Sequence, residues 1–199
     1  MKRQQNFWFA LVISVLLSAC STSVERLDAQ QQIDLSGVWN DTDSQLVARE
    51  MIEDSLSRPW IDKFAESQGK APVVIVGRIK NLSHEHINTN TFIANIEREL
   101  INSGEVQFVA SSIDRQEIRD ERADQDLNAK ESTRKEMGQE YGADFMLQGQ
   151  INSIIDLDGS TQVRFYQVNL ELVSIKDNRK VWIGDKKIKK LIKNSKLRE

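Results

Sequence analysis

Two serine–lysine pairs are the first candidates for chemistry in this sequence. Ser67 and Lys70, and again Ser132 and Lys135, have the S-x-x-K spacing that places a lysine amine beside a serine hydroxyl in serine transpeptidases and β-lactamases. The companion motifs S-D-N and K-T-G are missing from the chain. We expect Ser67 in a loop and Ser132 on a polar helix, and we interpret both matches as chance.

Two further clusters could bind a metal ion. His84 and His86 lie two residues apart, so on a strand they would share one face, which suits a metal ion, but no third histidine completes a site. Asp156 and Asp158 resemble paired carboxylates or part of a calcium loop. Their segment is too short for the twelve-residue calcium pattern, and the Asp-Gly that follows favours a hairpin turn. The sequence therefore predicts no catalytic residue, no metal and no cofactor, and hence no enzyme.

The only cysteine, Cys20, follows a short positive start and an apolar run from Phe7 to Leu17. This order is typical of a secretory signal peptide, here residues 1–19. A retained membrane anchor is the alternative, but the apolar run is shorter than the roughly 20 residues that span a bilayer.

The four residues that end with this cysteine, LSAC, resemble the lipobox of bacterial lipoproteins. The resemblance implies cleavage after Ala19, diacylglycerol on the sulfur of Cys20 and acylation of the new amino terminus. Several acyl chains give stable anchoring, whereas one would be marginal. Ser21 in place of aspartate implies sorting to the outer membrane, facing the periplasm.

Residues 20–34 are predicted to form a short tether without proline that follows the lipidated cysteine. At about 3.3–3.6 Å per residue, residues 21–34 would reach roughly 45–50 Å. Residues 35–199 are predicted to form one globular domain with a basic carboxyl-terminal tail, because their number suits a single core. The formal charge of −3 argues against a general nucleic-acid binder.

Hydrophobic periodicity predicts an α/β (α+β) domain with a mixed sheet of about four to five strands, flanked by three to four helices. Helices are expected from about residue 40 to before Pro59 and up to Gly104, and an apolar turn or short helix is expected from Trp60 to Gly69. Two more are expected in the polar stretch 113–127 and over 129–142. Strands are expected at 73–76 and 106–110, and the last three form an antiparallel meander from residue 145 onward.

The sequence leaves the roles of two tryptophans and one basic stretch open. Trp39 and Trp182 would be partner anchors if exposed, but we favour burial, at a helix entry and in the sheet core. The basic stretch from Lys186 is expected to be a solvated edge strand and tail; contact with an acidic partner or lipid head groups is the alternative.

Several stretches together resemble the LpoB-type penicillin-binding-protein activator lipoproteins. They are LSGVWNDTDSQLVAREMIEDSL, VVIVGRIKNLSHEHINTNTFIANIERELINSGEVQFV, EYGADFMLQGQI and FYQVNLELVSIKDNRKVW. The resemblance implies a fold related to the amino-terminal domain of TolB. It also implies a non-enzymatic protein that binds and activates a class A penicillin-binding protein, with no small-molecule substrate. The best-known members have a long, proline-rich tether; the short tether here fits the alternative, an assembly or scaffold lipoprotein of an envelope complex.

Overall fold

The computed structural model describes residues 24–28, 31, 33–138 and 140–193. The chain divides into two compact units, Met1–Gln32 and Ile33–Glu199. In the first unit, the described residues 24–28 and 31 are exposed and belong to no helix or strand. The predicted signal peptide, Ala19 and Cys20 lie outside the described residues. The second unit contains all the elements given below.

Four helices lie in the part of the chain that the structure describes: α1 (Asp41–Leu56), α2 (Trp60–Gln68), α3 (Thr89–Ser103) and α4 (Ser112–Asn128). Its five strands are β1 (Val73–Leu82), β2 (Gln107–Phe108), β3 (Phe145–Asp158), β4 (Thr161–Ser174) and β5 (Lys180–Lys193).

The predicted helix ends follow from capping. At the start of α1, the side chain of Asn40 accepts a hydrogen bond from the amide of Asp43, whose carboxylate accepts one from the amide of Asn40. This reciprocal pair is a capping box. Helix α3 ends at Gly104, whose φ of 71° is the left-handed conformation that glycine adopts without strain.

The strands form one mixed sheet in the order β2-β1-β3-β4-β5. Strand β1 pairs in parallel with β2 and β3, whereas β3, β4 and β5 form an antiparallel meander. The predicted fold class, mixed sheet and terminal meander are confirmed. Strand β5 is an edge strand, as expected for the basic stretch, and residues 194–199 of the predicted tail lie outside the described residues.

The hydrophobic core lies between one face of the sheet and helices α1 to α3. It combines Ile52 of α1, Phe92 and Ile96 of α3, and the inward side chains Val168 and Leu170 of β4. All five side chains are at most 1% exposed. Burial of each such side chain contributes about 1.5–3 kcal/mol to folding.

One predicted element is wrong. Residues 129–138 and 140–144 contain turns and irregular backbone rather than a helix. The expected apolar face includes Met137 and Tyr141, which are 51% and 69% exposed, so no tertiary packing stabilises it. A short helix without such packing is marginal in water, and Gly138, with a φ of 79°, interrupts it further.

Candidate partner-binding surfaces

The sheet has a covered face and an open face, because side chains alternate along each strand. Helix α1 covers β5: Lys186 pairs with Glu50, and the indole Nε1 of Trp182 donates to Asp54 Oδ2 at 2.8 Å. The open face is polar from Arg78 onward, whereas Val73 and Ile75 at the start of β1 are buried on it. It carries the exposed cations Arg78 and Lys80 of β1 together with neighbouring amide and acidic side chains of β3 and β4.

A groove of about 640 Å³ lies beside α2, at the end of the sheet where β3 and β5 begin. We call it the α2 groove. Its floor is apolar and consists of Trp60, Phe64, Phe145 and Val181. The ring of Phe145 makes edge contacts with Trp60 and Phe64 at centroid distances of 5.1 and 5.2 Å. The indole Nε1 of Trp60 donates to the carbonyl of Ser55 at 2.7 Å, so the floor is fixed in place.

The rim of the α2 groove carries four cations, Arg58, Lys63, Lys176 and Arg179. Arg58 pairs with Asp54, and Arg179 Nε lies 2.7 Å from Asp177 Oδ2. Within the described residues, neither Lys63 nor Lys176 makes an ion pair. The rim therefore presents two uncompensated positive charges beside an apolar floor.

The far wall of the α2 groove is the β4–β5 turn, which Asp144 holds in place. The carbonyl of Asp144 accepts from the amide of Ile175 at 3.0 Å, and its carboxylate accepts from the amide of Val73 at 3.0 Å and from Lys70 Nζ at 3.1 Å. In the turn, hydrogen bonds from Ser174 and Arg179 lower the pKa of Asp177. Both acids of the groove are thus engaged within the protein.

A polar cluster around Glu85 lies at the other end of the covered face. Glu85 Oε1 accepts from the hydroxyl of Tyr166 at 2.6 Å and pairs with Arg164, while Oε2 accepts from the amide of Trp39 at 3.1 Å. Burial, and then the hydrogen bond to Glu85, raise the pKa of Tyr166 well above its ordinary value. These contacts join the chain before α1 to the loop after β1 and to β4.

The segment that precedes α1, where the domain begins, packs beside the carboxyl end of β5. Lys190 Nζ lies 2.6 Å from Asp34 Oδ1 and 2.6 Å from Asp43 Oδ2, and it donates to the carbonyl of Val38 at 3.2 Å. Desolvation works against the charge of Lys190, but the hydrogen bonds to both aspartates outweigh it and raise its pKa. The same contact lowers the pKa of Asp34. This end of β5 is opposite to the α2 groove.

The candidate serine–lysine pairs are not assembled for catalysis. Ser67 lies in the last turn of α2, not in the expected loop, and its hydroxyl donates to the carbonyl of Phe64 at 3.0 Å, while Lys70 is held by Asp144. Ser132 lies in a turn, not on the expected helix, because residues 129–138 are not helical.

The candidate metal ligands are also separate. His84 and His86 lie in the loop after β1 rather than on a strand, and His84 contacts Ser153 through its amide and Nδ1. Asp156 and Asp158 both lie at the end of β3, directly before the expected β3–β4 hairpin turn. Among the described residues, no three His, Cys, Asp or Glu side chains are grouped so that they could hold a metal ion.

The favoured burial is confirmed for Trp182, which is 6% exposed in the core. Trp39 is only half-buried; it lies at the entry to α1, where its ring contacts those of Phe92 and Tyr166. The α2 groove was missed by sequence reasoning. The signal that points to it is the Gly-Ala-Asp before β3, since Asp144 fixes the groove wall.

These features define a class of protein: an α/β domain with helices α1 to α3 packed on one face of a mixed sheet and a fixed groove at one end of that sheet. Among the described residues, no helix has the length and apolar character that a membrane span requires.

A protein-family comparison then identifies the family. The family described as "Peptidoglycan-synthase activator LpoB" matches residues 43–188, which is most of the chain. The chain belongs to the LpoB family, and the resemblance found in the sequence is confirmed. The family is defined by activation of a synthase rather than by an enzymatic activity of its own.

Solved structures that match this chain include two LpoB carboxyl-terminal domains. The LpoB carboxyl-terminal domain from Salmonella enterica is 16% identical with a TM-score of 0.36, and that from Escherichia coli is 15% identical with a TM-score of 0.38. Each alignment covers 65% of this chain and 93% of the other. Lipoprotein GNA1162 from Neisseria meningitidis is 14% identical, with a TM-score of 0.40 and coverages of 62% and 86%. No curated protein sequence matches significantly.

Proposed function

We propose that this protein is an envelope lipoprotein that binds a class A penicillin-binding protein and activates its synthesis of peptidoglycan. The observation that carries the proposal is the family match over residues 43–188. A binding protein activates an enzyme when it binds the active conformation more tightly than the inactive one, and the size of the activation is set by that difference in affinity.

The proposal includes the anchor. Cleavage after Ala19 would leave a lipidated Cys20, a tether to residue 34 and the globular domain 35–199 on the periplasmic face of the outer membrane. The support is the LSAC sequence at the end of the apolar run and the serine at position 21. Replacing Cys20 with alanine should abolish incorporation of labelled palmitate and release the protein from the membrane fraction. Persistent incorporation would contradict lipidation at Cys20.

A direct test measures glycan polymerisation and cross-linking by the cognate class A synthase, with and without the purified chain from Ser21 to Glu199. We expect both a physical complex and a faster rate. An equal amount of the chain unfolded by heat is the control. Absence of binding and of any rate change with every class A synthase of the host would exclude the proposal.

The short tether favours a second candidate, a scaffold lipoprotein of an outer-membrane complex. Residues 21–34 reach roughly 45–50 Å when fully extended, at about 3.3–3.6 Å per residue. Mild cross-linking in cells followed by purification separates the two functions. Recovery of a synthase supports activation, whereas recovery of an outer-membrane complex without a synthase supports the scaffold.

A further inference from the structure

We infer that the α2 groove is the site where the synthase docks, and that its occupant is an extended acidic segment with an apolar side chain. The inference rests on the proposed function, since the partner is the class A synthase. It adds the surface on this chain and the chemistry of the segment that binds there.

The floor of the α2 groove indicates that the bound segment carries an apolar side chain. Trp60 and Phe145 are only 7% and 6% exposed and form a rigid aromatic base, while Ile175 on the rim remains 47% exposed. The volume of about 640 Å³ falls within the range of preformed binding clefts. An apolar side chain inserted into such a cleft loses its contact with water and becomes a central anchor of the interface.

The charges on the rim of the α2 groove indicate that the bound segment is acidic. Four cations face two carboxylates, those of Asp144 and Asp177, and both carboxylates are already engaged by partners within the domain. Lys63 and Lys176 remain without an ion pair in the described part of the chain, although the whole chain has a net charge of −3. A local positive rim on an acidic protein favours an acidic ligand and repels like-charged ones.

The position of the groove fits a tethered domain. The chain enters beside Lys190, whereas Val181 in the groove floor lies nine residues earlier on the same strand. At about 3.4 Å per residue the two points are roughly 30 Å apart. A domain held by its amino terminus therefore has the α2 groove at the end away from its attachment. A polypeptide is favoured over a glycan because Trp60 and Phe145 are only 7% and 6% exposed, so neither ring offers an open face on which a sugar could stack.

Charge reversal at the two free rim lysines tests the inference. The variant Lys63→Glu/Lys176→Glu removes no ion pair within the domain, so it should fold like the wild type. The matched control is Lys189→Glu/Lys193→Glu, which makes the same charge change at two exposed lysines near the opposite end of β5. Circular dichroism and thermal unfolding check that both variants are folded.

Affinity for the soluble periplasmic part of the cognate class A synthase is then measured at low and high salt. We expect the groove variant to bind about tenfold more weakly at low salt and to lose most of its salt dependence, and the control to stay within about twofold of the wild type. Equal affinities for the groove variant and the wild type would overturn the inference but leave the proposed function intact. If the wild type fails to bind any synthase, both fall.

Two other outcomes would also overturn the inference. In the first, the groove variant changes binding to purified peptidoglycan sacculi but not to the synthase, which would make the ligand a glycan or its peptide. In the second, sedimentation shows that the wild type self-associates and that the groove variant does not, which would make the occupant a second copy of this chain.

Discussion

At the scale of single residues, Glu85 makes three long-range polar contacts. It accepts hydrogen bonds from Tyr166 and from the backbone of Trp39, and it pairs with Arg164. The side chains of Glu85 and Arg164 are only 15% and 18% exposed. Removing one partner of a buried charged pair costs more than the pair contributes, because the other charge stays buried and uncompensated.

Replacing Glu85 with alanine should lower the free energy of unfolding by about 3–5 kcal/mol. Tyr166→Phe, which deletes one hydrogen bond, should lower it by about 1–2 kcal/mol. Urea denaturation measures both changes. His86→Ala, at an exposed neighbour in the same loop, is the control and should stay within about 0.5 kcal/mol of the wild type. A Glu85 variant as stable as this control would show that the cluster does not stabilise the fold.

The Tyr166 hydroxyl also predicts a pH dependence. Its pKa in the folded protein is raised, so its neutral form stabilises the fold below the unfolded pKa of about 10, and this contribution is lost as the pH rises further. The difference in stability between wild type and Tyr166→Phe should therefore narrow above about pH 10. A constant difference from pH 8 to 11 would contradict this assignment.

At the scale of elements, Lys190 attaches the segment before α1 to strand β5. Its side chain is 11% exposed and lies between Asp34 and Asp43, and Asp43, itself 7% exposed, also caps α1. The periodicity of the sequence predicts both the helix and the strand. It cannot predict the contact, because residues 43 and 190 meet only when the meander has placed β5 against α1.

Lys190→Met should lower the free energy of unfolding by about 3 kcal/mol, since it leaves Asp43 buried without its cation. Amide exchange over residues 33–48 should accelerate at the same time. Lys189→Met is the matched control, because Lys189 is exposed on the opposite face. Lys190 lowers the pKa of Asp34, so the gap between wild type and Lys190→Met should narrow as the pH falls below about 4. Equal effects of the two substitutions would refute the attachment.

Helix α4 is held mainly by charge, because none of its residues is buried. Glu140 lies 2.8 Å from Arg119 Nε and 3.5 Å from Arg122 Nη1, and the hydrogen bond from Arg119 lowers the pKa of Glu140. The polar composition of residues 113–127 correctly predicts a surface helix. The acidic partner lies outside this stretch, in a segment for which the sequence wrongly predicts a helix.

Glu140→Gln should release α4 without unfolding the core. We expect amide exchange in residues 112–128 to become roughly tenfold faster while the urea midpoint of the whole domain hardly changes. Glu131→Gln, at an exposed position in the same connection, is the control. If exchange in α4 is unchanged, another contact holds the helix.

At the scale of the whole molecule, the chain entry and the α2 groove lie at opposite ends of β5. If Cys20 carries the proposed lipid anchor, the length of the tether sets how far from the membrane the groove can act. Deleting residues 24–31 shortens the reach by roughly 25–30 Å. Activity should then be lost in cells but retained by the purified chain acting on the purified synthase.

The matched control for this deletion replaces residues 24–31 with eight glycine and serine residues, which keeps the length and removes the sequence. This variant should retain activity in cells. If it fails as completely as the deletion, the residues of the tether have a role beyond reach.

The sequence by itself determined most of the elements and the family, although it wrongly predicted a helix over residues 129–142. Local signals depend only on residues that are neighbours in the chain. Asn40 and Gly104 predict where helices begin and end, and the alternation of apolar and polar residues in β3 to β5 predicts the meander. Only the tertiary structure decided the surfaces. The floor of the α2 groove brings together Trp60, Phe145 and Val181, which are far apart in the chain. No local sequence pattern predicts that these three side chains lie together, because their contact depends on the order in which the strands pair and on which face of the sheet the helices cover.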